Sequence, residues 1–261
     1  MKKDVALITT IYTTPLFIEY QYKLLNKFLK QTFDLYVVDD CDDKNESNEV
    51  KNICEKYNLI YKKCPSHPID KRNGGDRHMN GLNSGLKIIT ENYEFVGILD
   101  GDMFLIDILD MNKIFDNYDI VSHMSGSGGV TYFWPGICFW KIHVKLHKFY
   151  WDGCIGKNGA RTDTGGTTYK FIENNPGLKI KHIGTTTELS KLNMTVRKFI
   201  IEDIEDAKKF NTRSWCDNII IDGVFVFFHY RDISNWQNNN NEYISNKKIR
   251  FFKYMDELLL S

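Results

Sequence analysis

The sequence predicts an α/β protein in which a mostly parallel central sheet is flanked by helices. Apolar, β-branched runs alternate with segments of helical periodicity through the first half of the chain. That alternation is typical of parallel sheets, because neighbouring parallel strands are joined by a crossover helix. Hydrophobic residues make up 42% of the 261 residues, which is enough to bury both faces of such a sheet.

Each element of the first half has its own signal. Strands are predicted at residues 5–12, 35–38, 59–61 and 95–99, and helices at 17–28, 50–57 and 79–89. Thr14 and Pro15 provide an N-cap and a first turn for the first helix. Residues 70–78, rich in Gly and basic side chains, are expected to form a loop before the third helix.

The second half carries weaker signals. Strands are predicted at residues 119–123, 137–140, 178–183 and 219–230, a Gly/Thr-rich segment spans 153–168, and an amphipathic basic helix is expected from 243 to 260. No linker-like composition separates the two halves, so we expect a single domain over residues 1–261.

Charge and cysteine content exclude several functional classes. The chain has 34 Lys and Arg against 34 Asp and Glu, so it lacks the positive field that holds nucleic acid, and no nucleic-acid partner is expected. No run reaches the roughly 18 consecutive apolar residues of a membrane span, and the N-terminus lacks a signal-peptide pattern. The six cysteines form no C-x-x-C pair, which predicts reduced thiols in a cytoplasmic protein.

Acidic clusters directly follow two of the predicted strands. Residues 39–43 read Asp-Asp-Cys-Asp-Asp, and Asp100-Gly101-Asp102 follows the fourth strand. The carboxyl ends of parallel strands form the ligand-binding edge of an α/β sheet, so these carboxylates are expected there. Two carboxylates separated by one glycine can share a divalent cation, although an ordinary Asp-Gly turn is the alternative.

The order of these motifs resembles that of family 2-like glycosyltransferases with the GT-A fold. Residues 36–43 are similar to the family's V-V-D-D-x-S-x-D element, and residues 98–102 are similar to its (F/L)-L-D-x-D element. Asn-Gly and Ser-Gly motifs at residues 73–86 lie between them, and the match runs from about residue 4 to about 125. Cys41 stands where Ser or Asn is usual, and Met79 where the family commonly has Arg.

The resemblance implies a site for a nucleoside-diphosphate sugar, with a UDP-sugar favoured and Mn²⁺ or Mg²⁺ as cofactor. By analogy Thr9 and Tyr12 border the base, Asp39 accepts a hydrogen bond from it, Asp100 and Gly101 lie near the ribose, and Asp102 ligates the metal. Arg72 and Arg77 are candidates for contacts with the base or diphosphate. The alternatives are a capping role for Asp39 and a solvated loop for the arginines.

Two later segments supply the remaining candidates. His229 ends a long apolar run. By analogy with the late histidine of many GT-A enzymes, it is expected to complete the metal shell, with Arg231 at the phosphates; a histidine that merely closes a strand is the alternative. Asp163 is the candidate general base, by analogy with an acidic pair that precedes a helix in the family. Thr162 occupies the other position of that pair, so an N-cap role for Asp163 is the rival interpretation.

The sequence thus predicts a metal-dependent hexosyl- or pentosyltransferase that moves a sugar to a glycan or other hydroxyl acceptor with inversion. Residues 1–125 would form the nucleotide-sugar-binding half, and 126–261 the acceptor-binding half with its C-terminal helix. A sugar-phosphate nucleotidyltransferase or a Rossmann dehydrogenase would need a Gly-rich loop at residues 9–15, which contain no glycine. A non-catalytic module that binds carbohydrate or nucleotide remains as a further alternative.

Overall fold

The computed structural model describes residues 2–65, 74–186, 192–212, 214, 216–231 and 241–261. The strands are β1 (Val5–Ile11), β2 (Phe33–Asp39), β3 (Ile60–Lys63), β4 (Phe95–Asp100), β5 (Met103–Leu105), β6 (Ile120–Ser127), β7 (Val130–Lys141), β8 (Ile180–His182), β9 (Gly184–Thr186), β10 (Asp217–Ile221) and β11 (Val224–His229). The helices are α1 (Leu16–Phe28), α2 (Lys44–Tyr57), α3 (Gly74–Leu86), α4 (Met111–Ile114), α5 (Thr168–Asn174), α6 (Met194–Lys209) and α7 (Asn241–Leu260).

A seven-stranded sheet has the order β3-β2-β1-β4-β7-β6-β8. The first four of these strands are mutually parallel, β6 is parallel to β8, and β7 is antiparallel to both of its neighbours. The predicted α/β class, with a mostly parallel sheet and crossover helices, is therefore confirmed. A second, antiparallel sheet of order β5-β11-β10-β9 was not expected from the sequence.

The chain divides into two compact units that alternate along the sequence. The first comprises residues 1–19, 30–101 and 110–183, and the second comprises 20–29, 102–109 and 184–261. The seven-stranded sheet belongs to the first unit, and the four-stranded sheet belongs to the second with α6 and α7. The donor and acceptor halves expected at 1–125 and 126–261 are functional assignments and stay predictions.

In the first unit, α3 packs tightly against the sheet. Its apolar residues Met79, Leu82 and Leu86 are buried in the core. A Cβ atom at Gly85 would lie 2.8 Å from a Val38 methyl and 2.9 Å from an Ile8 methyl, so only glycine permits this approach. Helix α3 is thereby held close to β1 and β2.

Two predicted elements differ from the structure. Helix α3 begins at Gly74, so Arg77 and His78 lie in its first turns instead of in a loop over 70–78. The single strand expected at 219–230 is a hairpin of β10 and β11, whose turn residues Asp222 and Gly223 have φ values of 53° and 78°. Asp-Gly with positive φ at both positions is the signature of a type I′ turn, which reverses the chain inside the apolar run.

The second unit is stabilised by packing between α6 and α7. The helix expected at 243–260 is confirmed as α7, and it buries Tyr243, Lys247 and Phe251. Asp203 of α6 is fully buried, accepts hydrogen bonds from the Tyr243 hydroxyl at 3.1 Å and pairs with Arg250 at 3.2 Å. The amphipathic face of α7 is thus used within its own unit.

All six cysteines are free thiols, of which Cys41, Cys54, Cys64 and Cys138 are buried.

Within the described ranges, none of the helices has both the length and the apolar character needed to cross a bilayer.

Candidate functional site at the acidic strand ends

Asp100 is the last residue of β4, at the carboxyl edge of the seven-stranded sheet. Its Oδ1 lies 3.1 Å from Nε2 of His78, which projects from α3, and both side chains are about one-fifth exposed, at 21% and 22%. The pair is therefore accessible from solvent at the edge where α/β sheets bind ligands. The sequence indicated His78 only as part of a basic stretch, because its partner lies in a distant element.

Gly101 allows the chain to pass close to β1. A Cβ atom at this position would lie 2.6 Å from the carbonyl oxygen of Thr10, a distance that no side chain tolerates. Asp102 follows directly, and covalent geometry alone keeps the Cα atoms of Asp100 and Asp102 within about 7 Å of each other. The expected placement of Gly101 near a ribose stays a prediction.

Asp102 and His229 meet within the second unit. Nε2 of His229 is 3.2 Å from Oδ1 of Asp102, and each side chain is only 5% exposed. The pairing of β5 with β11 produces this contact, because Met103 stands opposite His229 and the Tyr230 amide donates to the Asp102 carbonyl at 3.0 Å. The structure thus brings together two residues that the family resemblance implied as ligands of one metal ion.

These side chains have the chemistry of a metal site. Carboxylate oxygens and an imidazole nitrogen suit Mn²⁺, and Mg²⁺ accepts the carboxylates. Asp102 and His229, which both belong to the second unit, are donors that could hold a metal ion, and Asp100 stands two residues before Asp102 in the chain. The residues present therefore fit the cofactor that the sequence implies.

Arg231 lies beside His229 and is held by a residue that the sequence analysis missed. Its Nε forms an ion pair with Asp217, whose carboxylate also lies 3.9 Å from Nδ1 of His229. The Arg231 side chain is 38% exposed. Asp217 is the first residue of β10, and only recognition of the Asp222-Gly223 turn would have placed it opposite His229.

Asp39, by contrast, is fully buried and surrounded by hydrogen-bond donors. Its carboxylate accepts from the Cys41 amide at 2.9 Å, the Tyr61 hydroxyl at 2.7 Å, the Lys63 amine at 3.1 Å and the Ser47 hydroxyl. Burial alone would raise the pKa of Asp39, but these hydrogen bonds outweigh burial and lower it. Asp39 is thus a fixed, ionised acceptor, and its contact with a base stays a prediction.

Arg77 organises the rest of the acidic segment after β2. Its guanidinium donates to Asp40 Oδ2 at 3.0 Å, to the Asp40 carbonyl at 2.6 Å and to Asp42 Oδ2 at 2.7 Å. The Tyr12 ring centroid lies 4.0 Å from its central carbon, within cation–π distance. Burial alone would lower the pKa of Arg77, but the two carboxylates raise it. A phosphate would have to compete with these carboxylates for the guanidinium.

The other residues that the sequence predicts for the site differ in their burial, and one of them is not described by the structure. Thr9 is buried within β1 between Val37 and Leu99, and Tyr12 is half-buried just after the strand. Arg72 lies outside the described residues. The N-cap of α5 is Thr167, so the rival N-cap role of Asp163 is excluded for that helix. Asp163 is exposed, and its backbone amide donates to the Tyr132 hydroxyl at 3.3 Å.

Several solved structures are similar to parts of this chain at low sequence identity. No protein-family model matches the sequence, and no curated protein matches it. Among solved structures, the mannosyltransferase PcManGT from Pyrobaculum calidifontis, in complex with GDP-Man and Mn²⁺, is 14% identical with a TM-score of 0.43. The match covers 82% of this chain and 66% of that protein. The likeness to this mannosyltransferase is one of fold.

Two further matches widen the comparison. S. aureus TarS 1-349 in complex with UDP is 20% identical with a TM-score of 0.36, over 57% of this chain and 50% of that protein. The 4-diphosphocytidyl-2C-methyl-D-erythritol synthase from Anaerococcus prevotii is 15% identical with a TM-score of 0.40, over 69% of this chain and 87% of the synthase. The chain spans 66% of the mannosyltransferase, which is less than two thirds, and it spans 50% of the TarS fragment. The likeness at these identities is one of fold alone.

Proposed function

We propose that this chain is a metal-dependent glycosyltransferase. It moves a hexosyl or pentosyl group from a nucleoside-diphosphate sugar, with a UDP-sugar favoured, to a glycan or other hydroxyl acceptor, with inversion. The observation that carries the proposal is the Asp102–His229 pair, in which a carboxylate and an imidazole lie 3.2 Å apart and almost fully buried. Asp102 directly follows Asp100 and Gly101 in the chain. A carboxylate in this position, paired with an imidazole, suits the binding of a cation that neutralises a diphosphate.

In this proposal Asp100, Asp102 and His229 would hold Mn²⁺ or Mg²⁺. When bound, the cation supplies the positive charge that makes the diphosphate a competent leaving group. His78 orients the Asp100 carboxylate through the 3.1 Å contact, and Asp217 holds Arg231 beside His229. Arg231 is then positioned to donate to a phosphate oxygen through its guanidinium.

The donor nucleotide would be recognised at the ends of β1 and β2. Asp39 is the proposed acceptor for the base, and Thr9 and Tyr12 border it. Arg77 fixes Tyr12 by stacking against its ring, with Asp40 and Asp42 anchoring the guanidinium. Asp100 and Gly101 lie near the ribose in this arrangement. A preorganised pocket of this kind lowers the entropic cost of binding the nucleotide.

Asp163 is the proposed general base, which takes the proton of the acceptor hydroxyl as that oxygen attacks the anomeric carbon. The Asp163→Asn variant should lose transfer by about 10²–10⁴-fold, the usual contribution of a general base, while it keeps its affinity for the nucleotide sugar. Asp152→Asn, another carboxylate in the same region, is the matched control. Near-normal kcat in Asp163→Asn with loss in Asp152→Asn would assign the role to Asp152.

The decisive experiment incubates the purified chain and Mn²⁺ with UDP-, GDP-, CDP- and dTDP-sugars and measures nucleoside diphosphate release. We expect release with one donor and its loss in excess EDTA. Thermal shifts with the same donors are recorded in parallel. Binding without release would favour the non-catalytic module, and the absence of both would contradict the proposal.

A further inference from the structure

Asp217 and His229 stand opposite each other in the hairpin of β10 and β11, within the second unit. Directly opposed residues of an antiparallel pair have their side chains on the same face of the sheet. Asp102 joins them because Met103, the next residue in the chain, pairs with His229 from β5. The His229 ring therefore has one carboxylate near each of its nitrogens, Asp102 at Nε2 and Asp217 at Nδ1.

The two carboxylates lie at different distances from the ring. Asp102 Oδ1 is 3.2 Å from Nε2, whereas Asp217 Oδ2 is 3.9 Å from Nδ1, which is an electrostatic contact longer than a hydrogen bond. The side chain of Asp217 is 20% exposed and that of His229 only 5%, so water screens their interaction weakly. The same oxygen of Asp217 forms the ion pair with Nε of Arg231. One carboxylate thus acts on the proposed metal ligand and on the proposed phosphate donor.

The backbone that carries His229 and Arg231 is fixed by contacts that do not involve Asp217. The Tyr230 amide donates to the Asp102 carbonyl at 3.0 Å, and the Tyr230 carbonyl accepts from the Lys247 amine at 3.1 Å. Lys247 is fully buried in α7. Loss of the Asp217 charge should therefore change the orientation of side chains more than the path of the chain.

The chemistry of the imidazole ring gives the Asp217 carboxylate a function. A neutral ring carries one proton, so a ring that gives Nε2 to a cation keeps its proton on Nδ1. A carboxylate near Nδ1 attracts that proton, restrains the ring plane and makes Nε2 a stronger ligand. Metal-binding histidines commonly have such a partner, and its loss lowers metal affinity by about 10–100-fold.

From this geometry we propose that Asp217 is a positioning residue for His229, which it orients as a ligand of the cation. The inference rests on the proposed function, because it takes His229 to be a ligand of Mn²⁺ or Mg²⁺. Asp217 acts through the ring, since its carboxylate lies on the Nδ1 side and Asp102 lies on the Nε2 side. Removal of the Asp217 charge should therefore weaken cation binding only while the His229 ring is present.

The test measures the affinity of Mn²⁺ for the UDP complex of the full chain by calorimetric titration. Asp217→Asn keeps the size of the side chain but removes its charge, and it should weaken Mn²⁺ binding by about tenfold or more. Asp217→Glu, which keeps the charge, should lose less affinity than Asp217→Asn. The matched control is Asp222→Asn, which removes an exposed carboxylate from the turn at the other end of the same hairpin. It should leave the Mn²⁺ affinity unchanged, because solvent and salt screen a charge at that distance.

Two further backgrounds identify the side chain through which Asp217 acts. In His229→Ala, the change Asp217→Asn should have no additional effect on Mn²⁺ affinity, because residues that act through one another are not additive. In Arg231→Met, the same change should keep its full effect. Thermal unfolding of every variant is recorded in parallel. A loss of thermal stability without a loss of Mn²⁺ affinity would overturn the proposal, and so would an undiminished effect in His229→Ala.

Failure of the proposed function would give a different result from failure of this inference. If the wild-type chain bound no Mn²⁺ with or without UDP, the metal-dependent function would be contradicted, and the role of Asp217 with it. If the wild type bound Mn²⁺ and Asp217→Asn bound it equally well, only the role of Asp217 would be overturned.

Discussion

Asp39 at the end of β2 and Asp100 at the end of β4 lie on either side of β1, at the same edge of one sheet. In the sequence both belong to similar acidic clusters after an apolar strand. In the structure their surroundings differ. Asp39 is fully buried with Lys63, Tyr61 and Ser47 around it, whereas Asp100 is partly exposed and contacts His78.

Asp40 and Asp102, which follow in the chain, also differ in the side chains that contact their carboxylates. Asp40 is bound by the guanidinium of Arg77, and Asp102 is paired with His229. Lysine and arginine have no lone pair to give a metal at neutral pH, so they neutralise a carboxylate and hold it in place. An imidazole can itself ligate a metal. The carboxylates Asp39 and Asp40 after β2 are thus paired with cationic side chains, whereas Asp102 after β4 is paired with a side chain that can itself ligate a metal.

The largest effect is expected at Asp102. Asp102→Ala should lower kcat by at least about 10³-fold, because the proposed cation would lose a ligand next to the leaving group. Asp42→Ala, in the exposed part of the other cluster, should change kcat by less than about threefold. Nucleoside diphosphate release measures both. Full activity of the wild-type chain in excess EDTA would refute the metal role.

Next in size is the stability effect at Arg77. Arg77→Met removes the guanidinium partner of Asp40, a carboxylate that is 5% exposed, and should reduce the free energy of unfolding by about 3 kcal/mol. Arg231→Met should cost less than about 1 kcal/mol, because the Arg231–Asp217 pair is partly exposed. Urea denaturation followed by circular dichroism gives both values. Equal losses would remove the distinction between the two regions.

At His229 we expect a change in metal affinity with little change in nucleotide affinity. His229→Ala should weaken Mn²⁺ binding to the nucleotide complex by about 10–100-fold, because it removes both a ligand and the partner of Asp102. His143→Ala serves as the control. Calorimetric titration of Mn²⁺ into the UDP complex checks the prediction, and a dissociation constant equal to that of the wild type would exclude His229 from the metal site.

The smallest effect is the pH dependence of stability that Asp39 provides. Because folding lowers the pKa of Asp39 from its ordinary 3.8, the carboxylate stabilises the fold above pH 3.8 and this contribution is lost as the pH falls through the lower, folded pKa. Asp39→Asn should therefore be less stable by about 1 kcal/mol at pH 7, and the difference should shrink in acid. Unfolding free energies of both proteins, measured between neutral and acidic pH, decide this. A difference that does not vary with pH would contradict it.

Local patterns predicted the parts of the fold whose contacts are close in sequence. The strands β1, β2 and β4 and the helix α7 were found because periodicity and apolar runs report burial directly. The hairpin of β10 and β11 was missed although its Asp222-Gly223 turn was visible, because the continuous apolar run on both sides resembles one long strand. The antiparallel sheet containing β5 and β9 was missed because its strands are short and their pairing is nonlocal.

For the candidate site, the sequence by itself determined which carboxylates stand at strand ends, since acidic residues directly after an apolar run need only be read along the chain. The resemblance of the sequence to a family implied Asp102 and His229 as ligands of one metal ion. Only the tertiary structure decided that these two side chains meet, that Asp40 is bound by Arg77, and that Asp217 holds Arg231. The physical reason is that a carboxylate's partner depends on strand pairing and helix packing between segments far apart in the chain, and no local pattern encodes that pairing.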